Sequence, residues 1–382
     1  MRSPGDGAFR VLIVGGGVAA LEAGLAIRAL AGDRVALRLL APESVFTYRP
    51  LEVREPFAGP SAPRYDLGQL AAGMGAALIH GRLGWVDAAA QTAWPEAGEP
   101  LDYDALVLAM GARPYLRHRH ARTIEPGRLD ELLHGFVQDI DGGYVRSAAF
   151  VVPDRVGWPL PIYELLLMTA ERATSMWADV ALTLVTSETA PLEVFGSEVS
   201  AEVARRLDDA QVTVLTSAHA EVPTSGLVEV TRARRHTRLQ VDSVVALPEL
   251  MGPAVRGLPG GEHGFIPVDR FGRVRGAERV FAAGDATDFP VKHGGVAAQQ
   301  ADAVALGVAA SAGAHVQPMP FRPDIRGLLL TGGRPLALSG VVAGARGVLS
   351  RAEEGDACRP EKITALHLAP YLSQQRPLPA HA

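Results

Sequence analysis

The sequence predicts an α/β protein made of two doubly wound domains. A buried strand, a tight glycine turn and an alanine-rich helix open the chain between residues 10 and 30. The same alternation of strand and helix returns from residue 148 onward. The length of 382 residues also exceeds what one hydrophobic core usually supports, so two domains are expected.

The first elements form one βαβ unit. Its strand, turn, helix and second strand are predicted at Arg10–Val14, Gly15–Gly17, Ala19–Leu30 and Val35–Leu40. A loop with five prolines follows, from Pro42 to Pro63. It is too long for an ordinary connection, so it is a candidate binding loop, and Arg49 within it is a candidate ligand-binding residue.

The chain between the two α/β patterns predicts short strands and a link. Strand-like pieces with a turn at Glu96–Gly98 are followed by a buried strand over Tyr103–Gly111 that ends on glycine. The basic segment Arg117–Arg122 and the dipeptide Pro126-Gly127 then indicate an interdomain link.

The second α/β pattern predicts strand, helix, strand, helix and strand, at Ala148–Val152, Ile162–Trp177, Val180–Thr186, Glu198–Asp209 and Val212–Leu215. A helix near residues 295–309 follows a return strand that ends at Asp285. The predicted division is therefore residues 1–116 and 263–325 for a split first domain, 117–262 for an inserted second domain, and 326–382 for a carboxyl-terminal segment.

Composition and charge exclude several functions. Hydrophobic residues are 48% of the chain and charged residues 21%, which is ordinary for a folded protein. The net charge of −5, with no basic run interleaved with aromatics, predicts no nucleic-acid partner. We find no signal peptide and no stretch of the roughly 20 apolar residues that a membrane span needs. A cytoplasmic location is expected, and the oligomeric state stays open.

The glycine turn predicts a dinucleotide site. Phosphates bind where a helix begins without side chains in the way, because free backbone N–H groups and the helix dipole then reach the anion. Gly15 and Gly17 open such a helix directly after a strand, and Val18 and Ala19 follow them. Ala20 is the third small residue, where strand and helix pack closely.

Two carboxylates are candidates for sugar hydroxyls. The second strand ends without the acidic residue expected there, and the first carboxylate after it is Glu43. Either Glu43 reaches back, or backbone groups hold the ribose and Glu43 is an exposed loop residue. The buried strand before Gly284-Asp285 places the second carboxylate, Asp285, at a strand's carboxyl edge.

These motifs resemble the FAD/NAD(P)-binding pyridine nucleotide-disulfide oxidoreductase superfamily, and within it the sulfide:quinone oxidoreductase and type II NADH dehydrogenase branch. The resemblance rests on residues 11–17, 103–114 and 281–285. It implies two Rossmann-like domains and an FAD cofactor, with Gly111 in the second FAD motif and Asp285 on the ribityl or pyrophosphate part. Met110 departs from the threonine that is usual in this motif.

The resemblance also places Lys292 and Gly295 by the pyrimidine edge of the flavin. A lysine charge and a helix amino terminus there would stabilise the negative charge of the reduced flavin. The alternative is a solvated lysine in a loop. Lysine occurs only at residues 292 and 362, against a large excess of arginine.

The second domain departs from the family's nicotinamide-binding pattern. Residues 151–164 carry prolines at 153, 159 and 161 and a tryptophan at 158 where a glycine-rich turn is usual, so they lack the run of free N–H groups that a pyrophosphate needs. Glu164 matches a family glutamate that points toward the flavin, and is a candidate for proton transfer. A helix-terminal carboxylate favoured by the dipole is the alternative. Trp158 and Tyr163 are aromatic residues at a domain junction, so they are expected to pack there rather than to line a substrate pocket.

Sulfur chemistry and metals are not expected. Sulfide oxidation in that branch needs a cysteine pair, and this chain has only Cys358. His118 and His120 lie two apart, but the flanking arginines disfavour a metal ion. The apolar tail at residues 368–372 leaves peripheral membrane contact possible, although the nearby prolines favour core packing.

The sequence therefore predicts an FAD-dependent oxidoreductase that passes two electrons from a small-molecule donor to a quinone or other small acceptor. An NAD(P)H-dependent reductase with non-standard nicotinamide docking is one alternative. A flavin-binding interaction protein without turnover is the other.

Overall fold

The computed structural model describes residues 7–342, 348–354 and 362–379. Its strands are β1 (Phe9–Val14), β2 (Val35–Ala41), β3 (Val45–Thr47), β4 (Arg64–Asp66), β5 (Ala76–His80), β6 (Leu83–Asp87), β7 (Thr92–Pro95), β8 (Leu101–Asp102), β9 (Ala105–Leu108), β10 (Arg113–Tyr115), β11 (Arg122–Thr123), β12 (Ser147–Val152), β13 (Ala181–Thr186), β14 (Thr213–Leu215), β15 (Ala218–Thr224), β16 (Leu227–Arg232), β17 (Arg235–Gln240), β18 (Ser243–Ala246), β19 (Glu249–Met251), β20 (Val280–Ala282), β21 (Asp324–Leu329), β22 (Leu336–Val342) and β23 (Val348–Glu354). Its α-helices are α1 (Val18–Ala31), α2 (Leu67–Gly73), α3 (Leu129–Asp141), α4 (Leu160–Ser175), α5 (Ser197–Asp209), α6 (Gly294–Ser311) and α7 (Leu368–Ser373). Short 3₁₀ segments lie at Gly32–Arg34, Arg49–Phe57, Glu193–Phe195, Glu262–Gly264 and Gly284–Ala286.

The first parallel sheet has the strand order β20-β9-β1-β2-β5. Apolar residues of α1 and α6 cover one face, and the antiparallel sheet β6-β7-β8 packs on the other. Strands buried on both faces explain the continuous apolar runs in β1 and β9. Because β20 lies far along the chain from β9, this sheet is assembled from segments on both sides of the second sheet.

The second parallel sheet has the order β11-β18-β12-β13-β14. Helices α3, α4 and α5 contribute to the core on one face, and the antiparallel sheet β15-β16-β17 covers the other. The predicted fold class, two doubly wound α/β units with the first one split, is confirmed. The boundaries proposed at 116/117, 262/263 and 325/326 stay a prediction.

Two features were missing from the prediction. The stretch before residue 342, which showed no clear pattern in sequence, contributes β21 and β22 to an antiparallel sheet with β23. The proline-rich loop after β2 is not structureless, since it holds the β3-β4 pair and a nine-residue 3₁₀ helix at Arg49–Phe57. Proline inside that helix concealed it from a periodicity argument.

The carboxyl-terminal helix α7 packs on the first unit. Leu368 and Leu372 are buried in the same core as α1 and α6, which agrees with core packing of this segment. No helix among the described residues combines the length and the apolar character that crossing a membrane requires.

Candidate functional site

The glycine turn after β1 is shaped by contacts that only glycine permits. Gly15 has φ +124, and a Cβ there would overlap the carbonyl oxygen of Ala109. The Leu21 N–H donates to the Gly17 carbonyl at 3.0 Å, which sets the first turn of α1. A Cβ on Gly17 would meet nothing within 4 Å. The turn is therefore pressed against the end of β9, while the space at the start of α1 is open.

Two helix amino termini meet at this edge of the first sheet. Gly284, after β20, has φ +75, and a Cβ there would lie 3.0 Å from Ala19 Cβ and 3.3 Å from Ala297 Cβ. The Gly284 N–H donates to Gln300 Oε1 at 2.7 Å. Glycine at this position thus brings α1, α6 and the following Asp285 together around one space.

The predicted carboxylates and the loop arginine lie around the same space. Asp285 is partly buried; burial raises its pKa, and the positive charges of Lys292 and Arg49 oppose that effect. Glu43 Oε2 lies 3.7 Å from the position of a Cβ on Gly16, so this carboxylate reaches the turn. Arg49 begins the 3₁₀ helix of the proline-rich loop.

The remaining candidate cofactor residues sit on the surrounding backbone. Ala20 is fully buried where α1 packs on the sheet, and Val18 is partly exposed at the start of α1. Gly111 follows β9 with φ +72 and open space around it. Gly295 lies in the first turn of α6, where a Cβ would come within 2.9 Å of the His293 ring.

Lys292 is buried, contrary to the alternative of a solvated loop lysine. Its Nζ donates to the Thr287 carbonyl at 2.5 Å and lies 3.9 Å from the centre of the Phe265 ring. Burial lowers its pKa to about 8, against the opposing charges of Asp285 and Asp288. The amine is therefore a cation with little solvent around it, close to the two helix termini.

Both carboxylate oxygens of Glu164 are bonded to Lys362, a partner that was not predicted from the sequence. Lys362 Nζ donates to Glu164 Oε1 at 2.6 Å and to Oε2 at 2.8 Å, and also to the Pro50 carbonyl at 2.9 Å. The Leu330 N–H donates to Oε1 at 3.0 Å. Burial raises the pKa of Glu164 and lowers the pKa of Lys362, and each charge opposes the effect on the other. The only signal in sequence was that Lys362 is one of two lysines.

His293 also lies at the amino terminus of α6 and was not predicted. Its ring stacks on Trp158 with centroids 4.3 Å apart, and Trp158 contacts Phe195 at 5.4 Å. Burial lowers the pKa of His293 to about 4, so the ring is neutral at pH 7. Trp158 is thus a packing residue between the two units, as expected.

The turn after β12, where a second dinucleotide would seat its phosphates, is held by side chains. Arg155 forms an ion pair with the fully buried Glu249 and contacts the His263 ring at 2.6 Å. Asp154 contacts His219 Nδ1 at 2.6 Å. These bonds fix a turn that carries charged side chains and prolines in place of bare backbone N–H groups.

One oxygen of the strand-end carboxylate of the second unit is also occupied. Glu188 follows β13, where nucleotide-binding sheets of this class carry their ribose-binding acid. The Tyr163 hydroxyl donates to Glu188 Oε2 at 2.5 Å, and the Thr186 hydroxyl donates to the same oxygen at 2.9 Å. Burial raises the pKa of Glu188 to about 7. Sequence reasoning missed this carboxylate and assigned Tyr163 to packing.

One group of potential metal ligands lies away from His118 and His120, where a metal ion was not expected. Single ligand atoms of Glu22, Asp302 and His367 lie within 4.8 Å of one another. Glu22 already accepts the N–H groups of His367 and Leu368 at 2.8 and 2.6 Å. His118 is buried with neither ring nitrogen bonded, and His120 is exposed. Cys358 lies outside the described residues.

Comparison with known proteins matches part of the chain to one family. Residues 168–303 match the family Pyridine nucleotide-disulphide oxidoreductase. This match covers a little more than a third of the chain. The predicted class, an FAD-dependent oxidoreductase, is confirmed, and its cofactor is FAD. No curated protein matches the chain in sequence.

Solved structures share the fold over most of the chain. The sulfide:quinone oxidoreductase of Aquifex aeolicus superposes with a TM-score of 0.83 at 16% identity, over 91% of this chain and 87% of that one. A ferredoxin reductase of Rhodopseudomonas palustris gives 0.66 at 18% identity, over 88% and 83%. NDH2 of Plasmodium falciparum, solved in complex with NADH, gives 0.60 at 14% identity, over 73% and 64%. At these identities the likeness establishes the fold.

The first unit fits FAD on its own geometry. The open space before α1 suits a pyrophosphate because the first N–H groups of a helix have no partners within it. A partly buried carboxylate with a raised pKa, Asp285, faces the same space and suits a sugar or ribityl hydroxyl. The roles of the individual residues remain proposals.

Proposed function

We propose that this protein passes electron pairs from a small donor other than NAD(P)H, through its flavin, to a quinone or similar small acceptor, without a cysteine pair. The proposal rests on the second unit, where the protein's own side chains hold positions that a dinucleotide would take. Arg155 and Glu249 hold the turn that would seat a pyrophosphate, and Tyr163 holds the carboxylate that would take ribose hydroxyls.

Each of these contacts opposes a nicotinamide dinucleotide. A pyrophosphate needs several free N–H groups at a helix start, and prolines at 153, 159 and 161 remove three of them. A ribose would have to displace the Tyr163 hydroxyl from Glu188 Oε2 or reach the buried Oε1, which has no hydrogen-bond partner among the described residues. Losing a hydrogen bond to a buried charged group costs about 1.5–3 kcal/mol.

The cysteine count directs the chemistry to the flavin itself. Attack on sulfur, transfer and release through a disulfide requires two thiols, and the chain has one cysteine. When bound, FAD supplies two-electron chemistry that needs no further redox group. The donor and the acceptor are therefore expected to react at the flavin directly.

The chain's own residues would bind and orient the cofactor. We assign the pyrophosphate to the N–H groups at Gly15–Gly17 and the start of α1, and the sugar and ribityl hydroxyls to Glu43 and Asp285. The amino terminus of α6, with Gly295 and the desolvated Lys292 amine, would stabilise negative charge on the reduced ring. The Glu164–Lys362 ion pair would hold a proton on the Lys362 amine, beside the flavin ring.

Reoxidation of the reduced flavin tests the acceptor. The FAD-loaded protein is reduced with light and a sacrificial donor under anaerobic conditions and is mixed with a water-soluble quinone. We expect the oxidised flavin spectrum to return in milliseconds to seconds, the range of ordinary enzyme turnover. Reduced flavin that persists with every quinone and every one-electron acceptor would favour an interaction protein without turnover.

One observation favours an NAD(P)H-dependent reductase as the second candidate. The matched family is named for pyridine nucleotides, and the NDH2 neighbour was solved with NADH. In this chain nicotinamide would then have to approach the flavin without the turn after β12. Rapid bleaching of the oxidised flavin by NADH or NADPH would establish that candidate.

A further inference from the structure

The hairpin between β16 and β17 concentrates positive charge at the surface. Its two-residue turn is Ala233-Arg234, and the pair Arg232 and Arg235 closes it. His236 and Arg238 follow on β17, and all of these residues are exposed. We call residues 232–238 the basic hairpin.

The basic hairpin is held together at an energetic cost. Arg232 and Arg235 stand directly opposite each other in the ladder, and like charges in that position destabilise a sheet. Ala233 has φ +52, a conformation that residues with a side chain rarely adopt. Both features are local, and neither buries apolar surface.

The chain supplies a counter-charge to only one of these arginines. Glu229 Oε1 lies 3.0 Å from Arg238 Nε. Within the described part of the chain, Arg232, Arg234 and Arg235 make no ion pair. These three guanidinium groups create a local positive potential that attracts external anions.

The basic hairpin lies at the ligand-binding edge of the second unit. Arg232 pairs with Ala218 in the ladder. The N–H of the preceding residue, Ser217, donates to the Glu188 carbonyl at 2.8 Å. Glu188 follows β13, so the tip stands at the carboxyl edge of the parallel sheet, where ligands of such sheets bind.

We propose that the basic hairpin docks this protein on an anionic phospholipid surface. All seven residues of the basic hairpin are exposed, so its charges can approach a flat surface. It carries no phenylalanine, tyrosine or tryptophan on which a base could stack, which opposes single-stranded nucleic acid. The chain as a whole is negative, so repulsion from an anionic surface would orient the hairpin toward it. The choice of a membrane over an acidic protein rests on the proposed function, because quinones dissolve in bilayers.

Vesicle binding by the full-length, FAD-loaded protein tests the docking. The protein is sedimented with phosphatidylcholine vesicles and with vesicles that also contain phosphatidylglycerol, at low and at physiological salt. We expect binding only to the anionic vesicles, weakened by salt. Arg232→Gln/Arg234→Gln/Arg235→Gln should lower the partition coefficient on the order of 100-fold. The triple substitution of the same residues by Lys should retain binding.

A matched control removes the same charge elsewhere. Arg128→Gln/Arg205→Gln/Arg326→Gln changes three arginines that already face carboxylates, and it should bind anionic vesicles nearly as wild type does. Equal losses in the two triple variants, binding to neutral vesicles, or no binding of the wild type would overturn the proposal. So would hairpin-dependent retention on polyglutamate or DNA without vesicle binding.

The measurements distinguish a failure of the docking proposal from a failure of the proposed function. Reoxidation of the reduced flavin by a water-soluble quinone, measured without vesicles, should be the same in the wild type and the hairpin variant. Absent vesicle binding with an intact quinone reaction overturns the docking alone. Absent quinone reaction with hairpin-dependent vesicle binding overturns the proposed acceptor and leaves the docking in place.

Discussion

Removing Lys362 should destabilise the protein more than removing most other single side chains. Its Nζ bonds both Glu164 oxygens, at 2.6 and 2.8 Å, and the Pro50 carbonyl, and both side chains of the pair are almost inaccessible, at 4% and 1% exposure. Lys362→Met leaves a buried carboxylate with one remaining N–H donor, that of Leu330. Breaking a buried pair from one side costs about 3–5 kcal/mol.

The loss should depend on pH. Without Lys362, the pKa of the buried Glu164 lies above its unfolded value, so the folded state takes up a proton that the unfolded state releases. A group of that kind destabilises the fold increasingly as pH rises from the unfolded pKa of about 4.3. We therefore expect the deficit of Lys362→Met in the free energy of unfolding to be larger at pH 8 than at pH 5.

A double-mutant cycle isolates the pair. Urea unfolding is measured for Lys362→Met, Glu164→Gln, Glu164→Leu and the double variant Glu164→Leu/Lys362→Met. The double variant should be more stable than Lys362→Met alone, because it removes the unpaired charge as well. Additive losses, or a Lys362→Met cost below about 1 kcal/mol, would refute the reasoning. The rate of FAD release should rise in Lys362→Met, since the ion pair joins the carboxyl-terminal segment to the start of α4.

Three further predictions concern the turn and the buried acids. Gly15→Ala should cost about 3 kcal/mol in urea unfolding through strain and overlap, whereas its neighbour Gly17→Ala should leave stability nearly unchanged and weaken FAD binding; equal effects of the two on stability would contradict the geometry. The pKa of Asp302 is raised to about 7 by burial and by Glu22, so the folded state loses stability as pH rises from the unfolded pKa of about 3.9 to about 7. Asp302→Asn should therefore stabilise the protein more at pH 8 than at pH 5, by about 2–3 kcal/mol, and a gain independent of pH would show that this ionisation is not the cause. Tyr163→Phe takes a hydroxyl from the Glu188 carboxylate, which should lower the melting temperature more at pH 8 than at pH 6; a uniform loss would mean that the carboxylate is not involved.

The first unit could be predicted from sequence because its signals are local. A strand, three glycines and a helix are contiguous in the chain, and their order alone specifies a βαβ turn. Gly284-Asp285 follows a strand whose apolar run is equally clear. The turn at residues 151–164 was also readable, since prolines remove N–H groups whatever the surrounding structure.

The rest could not be predicted because it depends on contacts between distant residues. Lys362 lies 198 positions from Glu164, and nothing in the local sequence of either residue specifies the other. The pairing of Glu188 with Tyr163 depends on how α4 packs beside β13. Antiparallel strands such as β21 and β22 were missed because each contains a glycine, which weakens the sequence signal for a strand.

Anaerobic stopped-flow mixing of the FAD-saturated protein with NADH and with NADPH shows whether a nicotinamide dinucleotide reduces this flavin. We propose that, among the described residues, only the turn at Gly15–Gly17 seats a dinucleotide, because side chains hold the turn after β12 and one oxygen of Glu188. The oxidised flavin spectrum should therefore persist with both nucleotides, while a quinone rapidly reoxidises the light-reduced protein. Bleaching of the flavin by either nucleotide within the time of a normal turnover would contradict this proposal.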